Sequence, residues 1–191
     1  MTSLDRRDVM RLSLLAAAAA SVSDNADARE SAPMSPDPVH DFDWLFGSWH
    51  VQHRRLKERL MNNTEWVPFD GTCVCQPLMG GAGNVDDNVL NLPEGSYRAV
   101  ALRAFNAKTK TWAIWWLDGR NPHSIEVPVQ GGFEDGVGTF IADDTLRGKP
   151  IKVRFQWSKI TRTSARWEQA FSPDAGRTWE VNWMMEFTRT A

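Results

Sequence analysis

From Phe42 to the end of the chain, apolar and polar side chains alternate in short runs, and Gly, Asp or Asn separates one run from the next. Period-two alternation of this kind predicts half-buried strands, and no segment carries the longer stripe of an amphipathic helix. The stretch "HDFDWLFGSW" is the one place where a short helical turn is expected, because Phe42, Leu45 and Phe46 can share a face. A strand is predicted in "WHVQHRRLKERL" from the Trp49–Val51 alternation. "EWVPFDGTCVCQPLM" continues as one or two strands broken at Pro68 and Gly71, and "LMGGAGNVDDNVLNLPEGS" reads as a long polar loop. Further strands are expected in "YRAVALRAF", "TWAIWWLD", "SIEVPVQGGFE", "GVGTFIADD", "PIKVRFQWSKI", "ARWEQAFS" and "TWEVNWMMEFTR". About eight to ten strands at such spacing favour an all-β antiparallel sandwich or barrel. Closing the sheet into one up-and-down barrel removes the unpaired edges and is the expected architecture.

One motif invites a catalytic reading. "FSPDAGRTW" has the Ser-x-Asp-x-Gly-x-Thr-Trp spacing of the Asp-box associated with sialidases. A single copy between two strand-like runs predicts a hairpin instead. Asp174 can accept bonds from turn amides, Gly176 can take a positive φ, and Trp179 can cover the turn.

Composition narrows the partners. The chain has 191 residues, which suits one domain, and a formal charge of −2 gives no basic footprint for nucleic acid. Ten Trp stand against one Tyr, supplying large apolar surfaces with a polar N–H for core walls or pockets. Residues 1–28 read as a twin-arginine export signal. Arg6 and Arg7 precede an apolar run from Leu12 to Val22, and Ala26-Asp27-Ala28 offers the small-x-small cleavage pattern. The run is too short to span a membrane, so a periplasmic or secreted protein with no stable span after processing is expected. Residues 29–39, rich in proline, read as a flexible linker, and 40–191 as the barrel domain.

The segments "FDWLFGSWHVQHRRL", "GAGNVDD", "LRAFNAKTKTWAIWWLD" and "RWEQAFSPDAGRTWEVNWMMEF" resemble an uncharacterised bacterial family of the domain-of-unknown-function type. The likeness runs from about Asp41 to Arg189. It implies a lipocalin-like, or calycin-like, β-barrel with a central cavity and no established reaction. Gly47-Ser48-Trp49 is similar to the Gly-x-Trp that opens the first lipocalin strand, where the Trp plugs the closed end.

Candidate chemistry follows from strand parity. If Trp49 points inward, so do Val51, His53 and Arg55, whereas His50, Gln52 and Arg54 face out. An inward His–Arg pair is costly unless a ligand anion, an internal carboxylate or water meets it. His53 titrates near neutrality and is the leading candidate for acid–base work, with Arg55 stabilising negative charge. Asn84 and Asp86 sit in the glycine-rich "GGAGNVDD", which is expected to form a lid at the barrel mouth or merely to cap turns. Arg103, Arg154 and Glu168 are further candidates for buried polar partners. Trp115 and Trp183 are candidate aromatic walls of a pocket. Alternation puts Trp179, Val181, Trp183, Met185 and Phe187 on one face of the last strand.

Cys73 and Cys75 stand on one strand with Cα atoms roughly 6.6–6.8 Å apart, at the outer edge for a disulfide, and small buried fillers are the expectation. The histidines show no metal-ligand spacing and no C-x-x-C-H is present, so no cofactor and no metal are expected. Three functions remain open: an exported barrel that binds a small apolar or aromatic molecule; a cofactor-independent isomerase, cyclase or lyase using His53 and Arg55 in the same cavity; and a structural envelope protein with a packed interior.

Overall fold

The computed structural model describes residues 35–190, so the proposed export signal and most of the linker lie outside the described residues. Ten strands follow one another: β1 Gly47–Leu56, β2 Trp66–Leu78, β3 Gly83–Leu92, β4 Gly95–Asn106, β5 Thr111–Asp118, β6 Val129–Glu134, β7 Val137–Leu146, β8 Lys149–Ser158, β9 Ser164–Ser172 and β10 Glu180–Arg189. Each pairs antiparallel with the next, and β10 returns to β1, with Val51 opposite Phe187. This is the closed up-and-down barrel expected from the alternation, lipocalin-like in its plan. Short turns make the meander possible. At the β6–β7 turn both Asp135 and Gly136 have positive φ, which matches the twist of the flanking strands.

One end of the barrel is plugged. Short 3-10 turns at Pro38–His40 and Asp43–Leu45 bring Phe42 and Leu45 into the interior, both fully buried. Phe42 meets Trp112 edge-on at 5.0 Å and Phe133 at 5.1 Å, while Trp44 meets Trp157 at 5.2 Å. Aromatic pairs of this kind add about 0.5–1.5 kcal/mol each beyond their burial. Two indole N–H groups at the plug find carbonyls: Trp49 donates to Leu45 O at 2.7 Å, and Trp112 to Pro38 O at 2.9 Å, while those of Trp44 and Trp157 are buried without a partner. Arg189 lies 4.1 Å over the Trp49 ring and donates to the carbonyls of Phe46 and Trp44, fastening the last strand to the first. Pro38 and Val39, the last residues of the segment read as linker, form part of the first of the 3-10 turns.

The strand pattern departs from the sequence expectations in four places. β2 is one unbroken strand. The ladder to β3 starts only at Asp70, so Pro68 lies where β2 has no partner on that side. Gly71 is retained for close approach, since a Cβ there would lie 2.2 Å from Val89 O and 3.0 Å from His53 Nε2. The supposed polar loop is mostly β3, whose inward residues Asn84 and Asp86 are polar and so hide the usual apolar alternation. In "SIEVPVQGGFE" the strand begins only at Val129; Ile125 makes an isolated bridge to Leu117. In β10 the register slips between Val181 and Trp183. This bulge turns Trp183, Met185 and Phe187 inward but separates them from Trp179 and Val181.

Candidate functional site

The end opposite the plug opens into a cavity of ≈ 290 Å³. Its floor and walls are apolar, built from inward positions on β5 and β8–β10: Trp116, Val153, Phe155, Trp167, Trp183 and Met185. Trp183 is the hub. Its ring meets Trp116 edge-on at 6.0 Å and Trp167 at 5.6 Å, and Phe155 meets Trp167 at 4.8 Å. The mouth is polar, with Arg55, Arg59, Tyr97, Asp118, Arg120, Glu126 and Asp144 around it. Flat apolar surfaces below and a few charged groups above are the usual anatomy of a small-molecule site.

His53 does point into the barrel, at 5 % exposure, but it belongs to the wall behind Trp183 and is not among the residues that line the cavity. The space vacated by Gly71 lets its ring stack flat on Phe69, 4.5 Å apart and 9° from parallel. Its Nδ1 accepts the Trp183 indole N–H at 3.2 Å. Burial first, then the charge of Arg55, pushes its pKa down to about 3. A ring that is neutral at all ordinary pH values, with its acceptor nitrogen occupied, orients Trp183 and is not placed to move a guest's proton. Arg55, by contrast, faces the cavity, with its guanidinium 5.7 Å from the Phe69 ring and 5.4 Å from Trp183.

Asn84, Asp86 and Arg103 come together, but beside the plug and far from any lid. Arg103 donates to Asp86 through two nitrogens, at 2.8 and 2.7 Å, and to Asn84 Oδ1 at 2.9 Å. Its guanidinium lies 5.0 Å from the Phe42 ring. Burial alone would lower the Arg103 pKa, yet the Asp86 charge and hydrogen bonds hold it above the usual value. Asp86 and Arg103 line a second void of ≈ 30 Å³, divided from the main cavity by Trp116, Phe155, Trp167 and Met185. The lid expectation fails because the glycine turn at Met79–Gly81 joins β2 to β3 at the plugged end.

Trp115 lies on the outer face of β5, and its neighbour Trp116 takes the cavity position. Strand parity alone could not choose between them, since both faces of "TWAIWWLD" are aromatic. Arg154 and Glu168 are also outward; Arg154 stacks 4.7 Å over Trp179. The inward polar residue on β9 is Gln169, which donates to Asn182 Oδ1 at 2.8 Å across the β10 bulge. Cys73 and Cys75 are unbonded and buried, and burial followed by the nearby Asp86 charge keeps both thiols protonated. The Asp-box forms the expected hairpin: Asp174 accepts from the Thr178 amide at 2.9 Å and hydroxyl at 2.7 Å, and Trp179 donates to Gly176 O.

Arg55 apart, the mouth residues escaped sequence reasoning because they come from loops and strand ends. Arg59 belongs to the β1–β2 loop and Glu126 to the β5–β6 loop, where alternation carries no signal. Glu126 has its pKa raised to about 7, first by burial and then by Asp144 and Asp118. Arg120 is clamped by Asp118, with contacts of 2.9 and 2.6 Å, and its guanidinium lies 3.7 Å over the Tyr97 ring.

No family model matches the chain, and no curated protein does. Among solved structures, similar chains include EF1p2_mFAP2b bound to DFHBI, at TM-score 0.44 and 11% identity over 80% of this chain and 99% of that one. The S-type phycobiliprotein lyase CPES from Guillardia theta matches at TM-score 0.49 and 8% identity, over 78% of this chain and 90% of that one. Neither likeness is strong enough to bear on what this chain binds.

Proposed function

We propose that this protein is a binding barrel that takes one small, flat aromatic molecule into its open cavity. The observation that carries it is the ≈ 290 Å³ chamber walled by Trp116, Trp167 and Trp183. A barrel with only a structural role is expected to fill this end as it fills the other, where Phe42, Leu45 and Trp49 pack the interior. Titration with two-ring aromatic compounds, followed by Trp fluorescence, should give dissociation constants of roughly ten to a hundred micromolar. Ala142 lines the chamber, and Ala142→Trp should fill it and abolish binding. A wild-type protein that binds nothing, or a filled variant that binds as well, would end this reading.

Export belongs to the same proposal. The paired arginines, apolar run and small-x-small site of residues 1–28 support processing and release to the periplasm or beyond. N-terminal peptide mapping of the protein from fractionated cells tests it, and a cytoplasmic protein that begins at Met1 would refute it. The segments that resemble the lipocalin-like family of unassigned activity support membership there as well.

A second reading, cofactor-independent proton transfer on the same guest, rests on Glu126. A carboxyl that titrates near neutrality at the mouth of an apolar chamber is suited to general acid–base work. Turnover of a bound guest that Glu126→Gln abolishes, with binding retained, would establish it; turnover that survives the change would exclude it.

A further inference from the structure

The mouth holds three arginines, and their surroundings differ. Arg120 is neutralised by Asp118, just as Arg103 is by Asp86 deeper down. Among the described residues, neither Arg55 nor Arg59 makes an ion pair with a carboxylate. Both face one concavity, and burial and then the Arg55 charge lower the Arg59 pKa, with Tyr97 and Glu126 offsetting only part of the effect. The Arg59 Nε is buried with no hydrogen-bond partner. Bringing two like charges together and leaving a donor unmet is unfavourable unless a guest completes the arrangement.

The two side chains are also held in place. Arg55 leaves the end of β1 between the Phe69 and Trp183 rings. The loop that carries Arg59 is tied down on both sides: the Leu60 amide donates to Glu180 Oε1 at 2.8 Å, and Arg147 donates to Arg59 O at 3.0 Å. Glu126 acts on Arg59 and Asp118 on Arg55 across the mouth, but neither closes to an ion pair, so both guanidinium groups keep donors for an anion.

We propose that Arg55 and Arg59 form a carboxylate-binding subsite at the mouth, so that the guests this barrel selects are aromatic acids, held with the ring down among the tryptophans. A carboxylate suits the place because it is planar and accepts paired N–H donors from guanidinium. The inference rests on the binding function proposed above and narrows its ligand class.

Calorimetric titration with 2-naphthoate and 2-naphthamide, which share shape and differ in charge, separates the two. At pH 7.5 the acid should bind at least about tenfold tighter than the amide. Arg55→Gln and Arg59→Gln should each cut that preference to within about threefold. Arg59→Lys, which keeps the charge, should retain part of it and guards against a loss through misfolding. Arg98→Gln, on the outer face beside Asp87, should leave the preference untouched. Equal binding of acid and amide, or a preference for the amide, would overturn the subsite and leave the cavity function standing. Binding of neither would overturn both.

Discussion

Replacing His53 by Gln changes how this barrel responds to acid. The neutral ring is buried against Phe69 and accepts from Trp183, so the native state resists a proton until about pH 3, whereas an unfolded histidine takes one near 6.5. Between those values the unfolded chain holds more protons than the native one, so stability rises with pH across the window and is lost as pH falls through it. At 1.36 kcal/mol per unit, the full window amounts to about 5 kcal/mol, and the part between pH 6.5 and 4.5 to about 3 kcal/mol. A domain of this size has roughly 5–15 kcal/mol in total, so this one ring can dominate its acid sensitivity.

Gln keeps an acceptor for the Trp183 N–H but cannot take a proton. At pH 7.5 His53→Gln should be the less stable protein by about 1–2 kcal/mol, through lost stacking on Phe69 and imperfect packing. At pH 4.5 the order should reverse, because the wild type alone has lost about 3 kcal/mol. Urea unfolding followed by Trp fluorescence at both pH values measures the two differences. Other groups move in the same range, among them Asp41, whose pKa burial and Asp37 raise to about 6. They act equally on both proteins and cancel in the comparison. A wild-type-to-variant difference that stays constant from pH 7.5 to 4.5 would show that His53 titrates like a solvated residue, and its place behind Trp183 would be refuted.

Two further outcomes follow from the buried and rim charges. Arg103→Met strands the Asp86 carboxylate beside the plug and should cost about 3–5 kcal/mol, much of it recovered in the double variant with Asp86→Leu, as denaturant midpoints would show. Affinity for 2-naphthoate should rise as pH falls from 8 to 6, because Glu126, which faces Asp118, Asp144 and Arg59, takes up a proton near 7 and ceases to repel the guest. Glu126→Gln should hold the tight affinity across that range, and a variant with the wild-type slope would assign the effect elsewhere.

The barrel was legible because an antiparallel sheet with one apolar face writes its period into the sequence. Trp49, Val51, His53 and Arg55 were assigned to the interior from β1 alone, and all four are there or at its rim. Where the inward face is polar the same logic goes silent. β3 presents Asn84 and Asp86 to the interior because Arg103 on β4 stands directly opposite Asn84 and needs their oxygens. A run of Gly, Asn and Asp therefore reads as loop from the sequence although it is strand. The partner that explains it lies 17 to 19 residues downstream, beyond the reach of any local pattern.

The β10 bulge shows why site residues are harder to read than folds. One extra residue at Asn182 changes which side chains precede Trp183 on the inner face, so that Glu180, and not Val181 or Trp179, comes to the rim. That single slip lets Glu180 hold the Leu60 amide, and with it the loop that presents Arg59 to the cavity. It also leaves Asn182 to bond Gln169, closing the gap in the ladder. The apolar chamber is thus a property of strand period, which a sequence displays. The charge at its mouth depends on a register irregularity and on loop tethers between residues 120 positions apart, so the anion-facing pair emerges only once the sheet is closed and its register known.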